Sequence, residues 1–278
     1  MKSKPLCPRQ LFLVLVMLMA TPLYSSAEGF AVLVAPPRFE LHANAGELVR
    51  DHVEITNPGD LPVTFLMRTA DWDMTAEGSA TFYPPELQPD SCRPWVRIER
   101  HKIRLPAQGK KRYRFQIQVP EDAPPGECRV ALLVEAPPED AVQAQASSMT
   151  LPIRGRIAIV IYLTVGGAQP ELQIRDMVLE QHKEKPRPVV IVENTGNAHG
   201  RTAGYVEATD ATGKRIDFVI TPLPILAGQT RRIPLYQPTI DDRTPEDYTT
   251  PLEISGTLEW GSGKTKIEQR VLATPKSP

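Results

Sequence analysis

The sequence predicts an all-β protein: two immunoglobulin-like β-sandwich domains in tandem, preceded by a cleaved signal peptide. Three observations lead there. With 29 Pro and 17 Gly spread over 278 residues, long helices have little room. Apolar residues instead alternate with period two, most plainly in Arg112-Tyr113-Arg114-Phe115-Gln116-Ile117-Gln118-Val119. A set of short motifs also recurs in the same order, about one sandwich domain further along the chain.

The first element is the leader. Lys2, Lys4 and Arg9 form a positive n-region, Leu11 to Ala20 is an uncharged apolar run, and Ser25-Ser26-Ala27 supplies small residues for cleavage. The run is about half the length that spans a bilayer. Residues 1–27 therefore read as a signal peptide and the remainder as an exported, soluble chain. Full-length, 32 basic residues face 33 acidic ones, a net charge of −1. Without the three leader cations the balance is mildly acidic with signs interspersed, which argues against nucleic-acid binding.

Strands follow. Asp51 to Thr56 alternates, with Val53 and Ile55 inward, and Cys128 to Val134 reads as a more buried strand. Turns separate them at Asn57-Pro58-Gly59-Asp60, Ala107-Gln108-Gly109 and Pro124-Pro125-Gly126. The repeat pairs Val53-Glu54-Ile55-Thr56-Asn57-Pro58-Gly59-Asp60 with Val190-Ile191-Val192-Glu193-Asn194-Thr195-Gly196-Asn197. In both turns Gly and Asn are expected to supply positive φ. Leu105-Pro106-Ala107-Gln108-Gly109 is likewise echoed by Leu226-Ala227-Gly228. These echoes place one domain at 28–166 and the other at 167–278, joined at Gly166-Gly167-Ala168-Gln169-Pro170.

Pro137 to Ser148, acidic and then rich in Ala, Gln and Ser, reads as a loop. It leads into Met149 to Val165, expected as one continuous strand about 56 Å long. On one parity this strand carries Met149, Leu151, Ile153, Ile157, Ile159, Ile161, Leu163 and Val165. Such a face either fills a core or, left at a sheet edge, pairs with another chain by strand addition.

No catalytic signature is present: no Gly-x-Ser-x-Gly elbow, His-Glu-x-x-His helix, phosphate loop or dinucleotide fingerprint. An enzyme is not expected, nor a cofactor. Asp71 and Asp73 flank Trp72 and read as the exposed face of a strand whose Trp is core. His199 reads as a loop residue and Trp260 as core packing. The five His are scattered and none lies near a Cys, so no metal site is expected. Cys7 leaves with the leader. Cys92 and Cys128 then suggest one disulfide in an exported chain, two separately buried thiols being the alternative.

The same residues carry a resemblance. Pro36-Pro37-Arg38-Phe39 in the opening strand Phe30 to Leu41, Val53 to Asn57 with Gly59-Asp60, Pro94-Trp95-Val96 and Leu105 to Gly109 follow one another in a familiar order. Gly126-Glu127-Cys128-Arg129, Met149 to Ile159, Asn194 to Asn197 and Leu226 to Gly228 complete it. In this order the chain resembles the periplasmic pilus-assembly chaperones, the PapD-like family, in a divergent form.

The resemblance implies a periplasmic chaperone that caps pilus or fimbrial subunits by donor-strand complementation, for assembly at the outer membrane. Met149, Leu151 and Ile153 would be the donor residues, and Arg38 the first anchor for the subunit's terminal carboxylate. The family's second anchor, a Lys, falls on Ala158, so Arg156 or Arg154, of the same strand parity, is expected to replace it. Pilin-like subunits and an outer-membrane usher are the implied partners, with self-association through the donor-strand edge left open. The alternative is a client-free structural or surface immunoglobulin-like protein, its long strand merely bridging two domains.

Overall fold

The computed structural model describes residues 30–75, 78–83, 85–138, 142–146, 149–153, 155–182, 185–238, 246–261 and 263–271. Among the described residues its named elements are strands, apart from a 3-10 turn at Arg93–Trp95.

In the first sandwich, one sheet has the order β1 (Leu33–Ala35), β3 (Leu48–Thr56), β8 (Lys110–Gln118), β6 (Val96–Ile98). The opposing sheet has the order β2 (Arg38–Ala43), β12 (Arg156–Val165), β9 (Gly126–Glu135), β4 (Val63–Met74), β5 (Ala80–Tyr83), with β7 (Lys102–Leu105) also on β4. The opening strand is thus split at Pro36-Pro37, and its two halves serve different sheets. Alternation puts Val53, Ile55, Tyr113, Phe115 and Ile117 of the first sheet against Phe65, Met67, Leu132, Val134, Ile159, Ile161 and Leu163 of the second, all fully or almost fully buried. The Cys92–Cys128 disulfide ties the loop before the 3-10 turn to β9.

The second sandwich is a seven-stranded sheet that folds over its own core. Its order is β13 (Leu172–His182), β14 (Lys185–Asn194), β19 (Thr230–Tyr236), β17 (Arg215–Ile220), β16 (Tyr205–Thr209), β20 (Leu252–Trp260), β21 (Gly263–Val271). Strand β19 serves both halves: residues 230–234 pair with β14, and 235–236 with β17. A short ladder of β15 (Gly200–Arg201) and β18 (Pro224–Ile225) lies apart. Phe218, Leu252, Leu258 and Trp260 are among the buried core residues, as expected for Trp260.

The sequence repeat has a physical basis in two buried asparagines. Asn57 donates through Nδ2 to the carbonyls of Leu61 (2.8 Å) and Pro106 (2.9 Å), and its Oδ1 accepts the Gly59 N–H (3.0 Å). Asn194 donates to Ala198 (2.8 Å) and Ile225 (2.9 Å), and its Oδ1 accepts from Gly196 (3.0 Å) and Glu171 (3.1 Å). Each asparagine staples the end of a strand to the loop that opens a later strand. Positive φ is not used at Gly59 or Gly196. It falls instead on Gln108 (53°) and Gly228 (72°) in the stapled loops. At Gly196 glycine answers crowding, because a Cβ would lie 2.4 Å from the Gln169 carbonyl oxygen.

Three expectations need correction. The segment from Pro137 to Ser148 contains strand β10 (Val142–Ala146). The stretch from Met149 to Val165 is two strands, β11 (Met149–Ile153) and β12, with Gly155 in the gap between them, a residue that weakens strand pairing. Asp71 is only 1% exposed. It accepts hydrogen bonds from the Gln88 N–H (2.7 Å) and Ser91 Oγ (2.6 Å), because its side chain pins the loop that leads to Cys92.

Candidate functional site

Strands β9 and β12 form an antiparallel hairpin whose register runs from Gly126↔Val165 out to Glu135↔Arg156. Beyond it Ala136 N–H donates to the Gly155 carbonyl (3.0 Å). The ladder then resumes as β10 against β11, from Val142↔Ile153 to Ala146↔Met149. One long hairpin is therefore interrupted once, and its outer part is a ribbon two strands wide. Among the described residues, β11 has no partner on the edge away from β10. An unpaired strand edge presents a row of N–H and C=O groups to any extended chain. Met149, Leu151 and Ile153 are alternate register positions of that strand. Arg154 lies outside the described residues.

At its inner end the same hairpin reaches the contact between the sandwiches. Parallel pairing sets Arg38 beside Val160 and Glu40 beside Tyr162, so these residues share the sheet face turned away from the first core. That face carries Ala70, Trp72, Ala131, Leu133 and Tyr162, packed against Leu226 of the second sandwich, with Ala158 and Val160 half-buried beside them. The Trp72 and Tyr162 rings meet edge to face at 5.1 Å, and Trp72 Nε1 donates to the Val130 carbonyl (3.2 Å). Trp72 is thus buried as expected, but between sandwiches.

Two charged clusters flank this apolar floor. At the ribbon end, Glu135 lies between Arg156 (Nε to Oε1, 2.6 Å) and Arg68 (Nε to Oε2, 3.4 Å). A cavity of about 370 Å³ opens there, lined by Glu135, Ala136, Gly155 and Arg156. At the other end, Glu40 Oε1 receives Arg38 Nε at 2.9 Å and, from the second sandwich, Arg201 Nε at 3.0 Å. His199 Nε2 stands 3.6 Å from the same oxygen. Burial alone would raise the Glu40 carboxyl. The hydrogen bond from Arg201 and the charges of His199, Arg201 and Arg38 outweigh it and hold Glu40 below its ordinary 4.5.

His199 does sit in a turn, but its side chain is 9% exposed and does not face solvent. Its ring stacks on Tyr162 at 3.9 Å, and Nδ1 lies 2.5 Å from Glu127 Oε2. The His199 backbone N–H donates to that same oxygen at 3.1 Å. Burial pushes the Tyr162 hydroxyl above its ordinary 10.

The structure thus places Arg38 beside Arg201 at one end of this contact and Arg156, paired with Glu135, at the other. Arg156 precedes Val160, the register partner of Arg38, by four residues, roughly 13 Å along the strand. Sequence reading gave no site role to Arg201, Glu40, Glu127 or His199, which come from distant parts of the chain. The available signal was that Glu127 lies within a motif quoted above and Glu40 directly follows another.

No family model matches the chain, and no curated protein matches its sequence. Among solved structures it is similar to a chain of the chaperone–tip adhesin complex of CFA/I fimbriae biogenesis, with 12% identity over 87% of this chain and 99% of that one and a TM-score of 0.47. It is also similar to the class 5 fimbriae chaperone CfaA, with 13% identity, 88% and 100% coverage and a TM-score of 0.46. A third is from the CsuC–CsuE chaperone–tip adhesion subunit pre-assembly complex of Acinetobacter baumannii, with 14% identity, 87% and 98% coverage and a TM-score of 0.44. Identities this low leave the chain's own residues to carry its function.

Proposed function

We propose that this protein is a non-enzymatic periplasmic chaperone that caps pilus or fimbrial subunits by strand addition along β11. The observation that carries the reading is that, among the described residues, β11 pairs only with β10, in a ribbon two strands wide. An isolated two-stranded ribbon is marginally stable in water, so a third strand adds both hydrogen bonds and order. Met149, Leu151 and Ile153 would enter the subunit's open groove. The charged end of the contact between the sandwiches, at Glu40, would hold the subunit's terminal carboxylate.

Arg38 and Arg201 supply the two cations of that site. They already converge on one carboxylate oxygen, that of Glu40, from opposite sandwiches. A terminal carboxylate offers the same chemistry and would compete with Glu40 for charge-assisted bonds. Arg156, held by Glu135, is not needed for this. Gly166-Gly167 would act as the joint between domains 28–166 and 167–278. An outer-membrane usher would receive the loaded complex, and self-pairing through β11 would protect the edge in a client's absence.

Co-purification from the periplasm with mass spectrometry of bound chains tests the reading. A stoichiometric small β-rich partner should be lost in Ile153→Asp, Arg38→Gln and Arg201→Gln and retained in Arg156→Gln. A protein that emerges without partner in cells expressing fimbrial subunits would reject the chaperone reading. Loss in Arg156→Gln with retention in Arg201→Gln would reject only the assignment of the second cation.

A further inference from the structure

The open edge of β11 continues beyond β11 itself. Strand β12 pairs with β9 along its whole length, from Arg156 to Val165, but with β2 only from Val160 onward, where Arg38 begins β2. Among the described residues, Arg156 to Ile159 therefore have no strand on the side away from β9. A strand added along β11 has room to run on past these residues, and β2 stops it at the level of Ile159. For its terminal carboxylate to arrive beside Arg38, the added strand must run parallel to β12, in line with β2.

Arg156 stands on this open line, and the charge around it is unbalanced. Register sets Arg156, Glu135, Leu66 and Lys102 in one row across β12, β9, β4 and β7. Arg68 lies two residues from Leu66 and Arg104 two from Lys102, so both leave the same face. These positions hold four cations against one acid, Glu135. Lys102 and Arg104 are exposed and have no ion-pair partner among the described residues. Glu135 is answered by Arg68 as well as by Arg156, whose own side chain is 41% exposed. Arg156 also borders the cavity it shares with Ala136 and Gly155. A guanidinium has five donors, so Arg156 keeps the capacity to bind a second carboxylate.

We propose that Arg156 forms a specificity subsite that selects client strands with Asp or Glu at the fourth residue from the C-terminus. This rests on the reading of β11 as the line of strand addition. With the last client residue level with Ile159, the fourth from the end lies level with Arg156. Residues in register share a face, so its side chain leaves the sheet beside the guanidinium, on a strand line about 5 Å away. A neutral side chain gains no ionic contact there. A carboxylate gains a charge-assisted bond, and Arg68, Lys102 and Arg104 add longer-range attraction.

Synthetic peptides matching the line from Met149 to Ile159 test this with protein recovered from the periplasm. Each alternates Val and Thr with Val last, carries a neutral dye at its N-terminus, and has Glu or Gln at the fourth position from the end. In fluorescence anisotropy the Glu peptide should bind about five-fold tighter than the Gln peptide, the upper end for a solvent-screened ion pair. Added salt should narrow that gap. Arg156→Lys, which keeps the charge, should retain the preference, and Arg156→Gln should abolish it while binding the Gln peptide as before. Moving Glu to the third position from the end turns it to the opposite face and should remove the preference. Equal affinity of wild type for both peptides, or a preference that survives Arg156→Gln, overturns the subsite and leaves strand addition standing. Amidating the C-terminus probes the parent reading instead, and should weaken both peptides alike by removing the carboxylate that Arg38 and Arg201 bind. If neither peptide binds, strand addition along β11 falls and the subsite with it.

Discussion

Replacing Asn194 with Ala should unfold the second sandwich far more readily than the first. The side chain is fully buried and makes four hydrogen bonds, two donated to buried carbonyls and two accepted from partly buried N–H groups. Alanine leaves the Ala198 and Ile225 carbonyls without a donor, and water has no ready path to replace it. At about 1.5 kcal/mol for each buried orphan and about 0.5 kcal/mol for each partly solvated one, the loss is roughly 4 kcal/mol. Asn57→Ala breaks three part-buried bonds in the first sandwich, so its loss is smaller, about 2 kcal/mol. Pulsed hydrogen exchange across a urea series, followed by mass spectrometry of peptides from each sandwich, reads the two transitions separately. Asn194→Ala should move only the peptides from 172–271 to lower urea. A shift worth less than 1 kcal/mol, or an equal shift in the peptides from 33–165, would refute the staple as the local source of stability.

Two further outcomes follow from the described contacts. The disulfide closes a span of 36 residues, and replacing both Cys92 and Cys128 with Ser should lower stability by about 4 kcal/mol, measured as a urea midpoint shift matched by wild type under reductant. Glu40 titrates below its ordinary 4.5 when folded, so the folded state takes up its proton less readily than the unfolded state. Its contribution is complete above that ordinary value and is lost as pH falls through the lowered one. Glu40→Gln should remove that part of the acid dependence, and denaturation profiles of unchanged steepness in the variant would contradict it.

Much of the fold was legible because its strands are half-buried and alternate. Tyr113, Phe115 and Ile117 point inward as their spacing requires, and the Asn57 and Asn194 turns could be matched because each staple needs the same short motif. Strand β10 was not legible. Val142-Gln143-Ala144-Gln145-Ala146 contains small and polar residues, and its strand character comes from pairing with β11. The charged cluster around Glu40 was half legible. Arg38 stands in a recognisable motif, whereas the Glu40–Arg201 contact joins residues 161 apart and the Glu127–His199 contact joins residues 72 apart. Nothing local marks such pairs. Asp71 was misread for a related reason: strand parity says which face a side chain leaves, but not whether a later loop covers it.

The interruption of the long hairpin bears on how the sequence can change over time. Among the described residues, those of β10 and β11 pair only with each other and with no strand of either sandwich, so the sandwich ladders do not depend on their register. A residue of β12, such as Ile159 or Ile161, has no such freedom, because it is fully enclosed. The outer ribbon is free to drift in what it pairs with, while the inner half of the same hairpin holds the architecture constant.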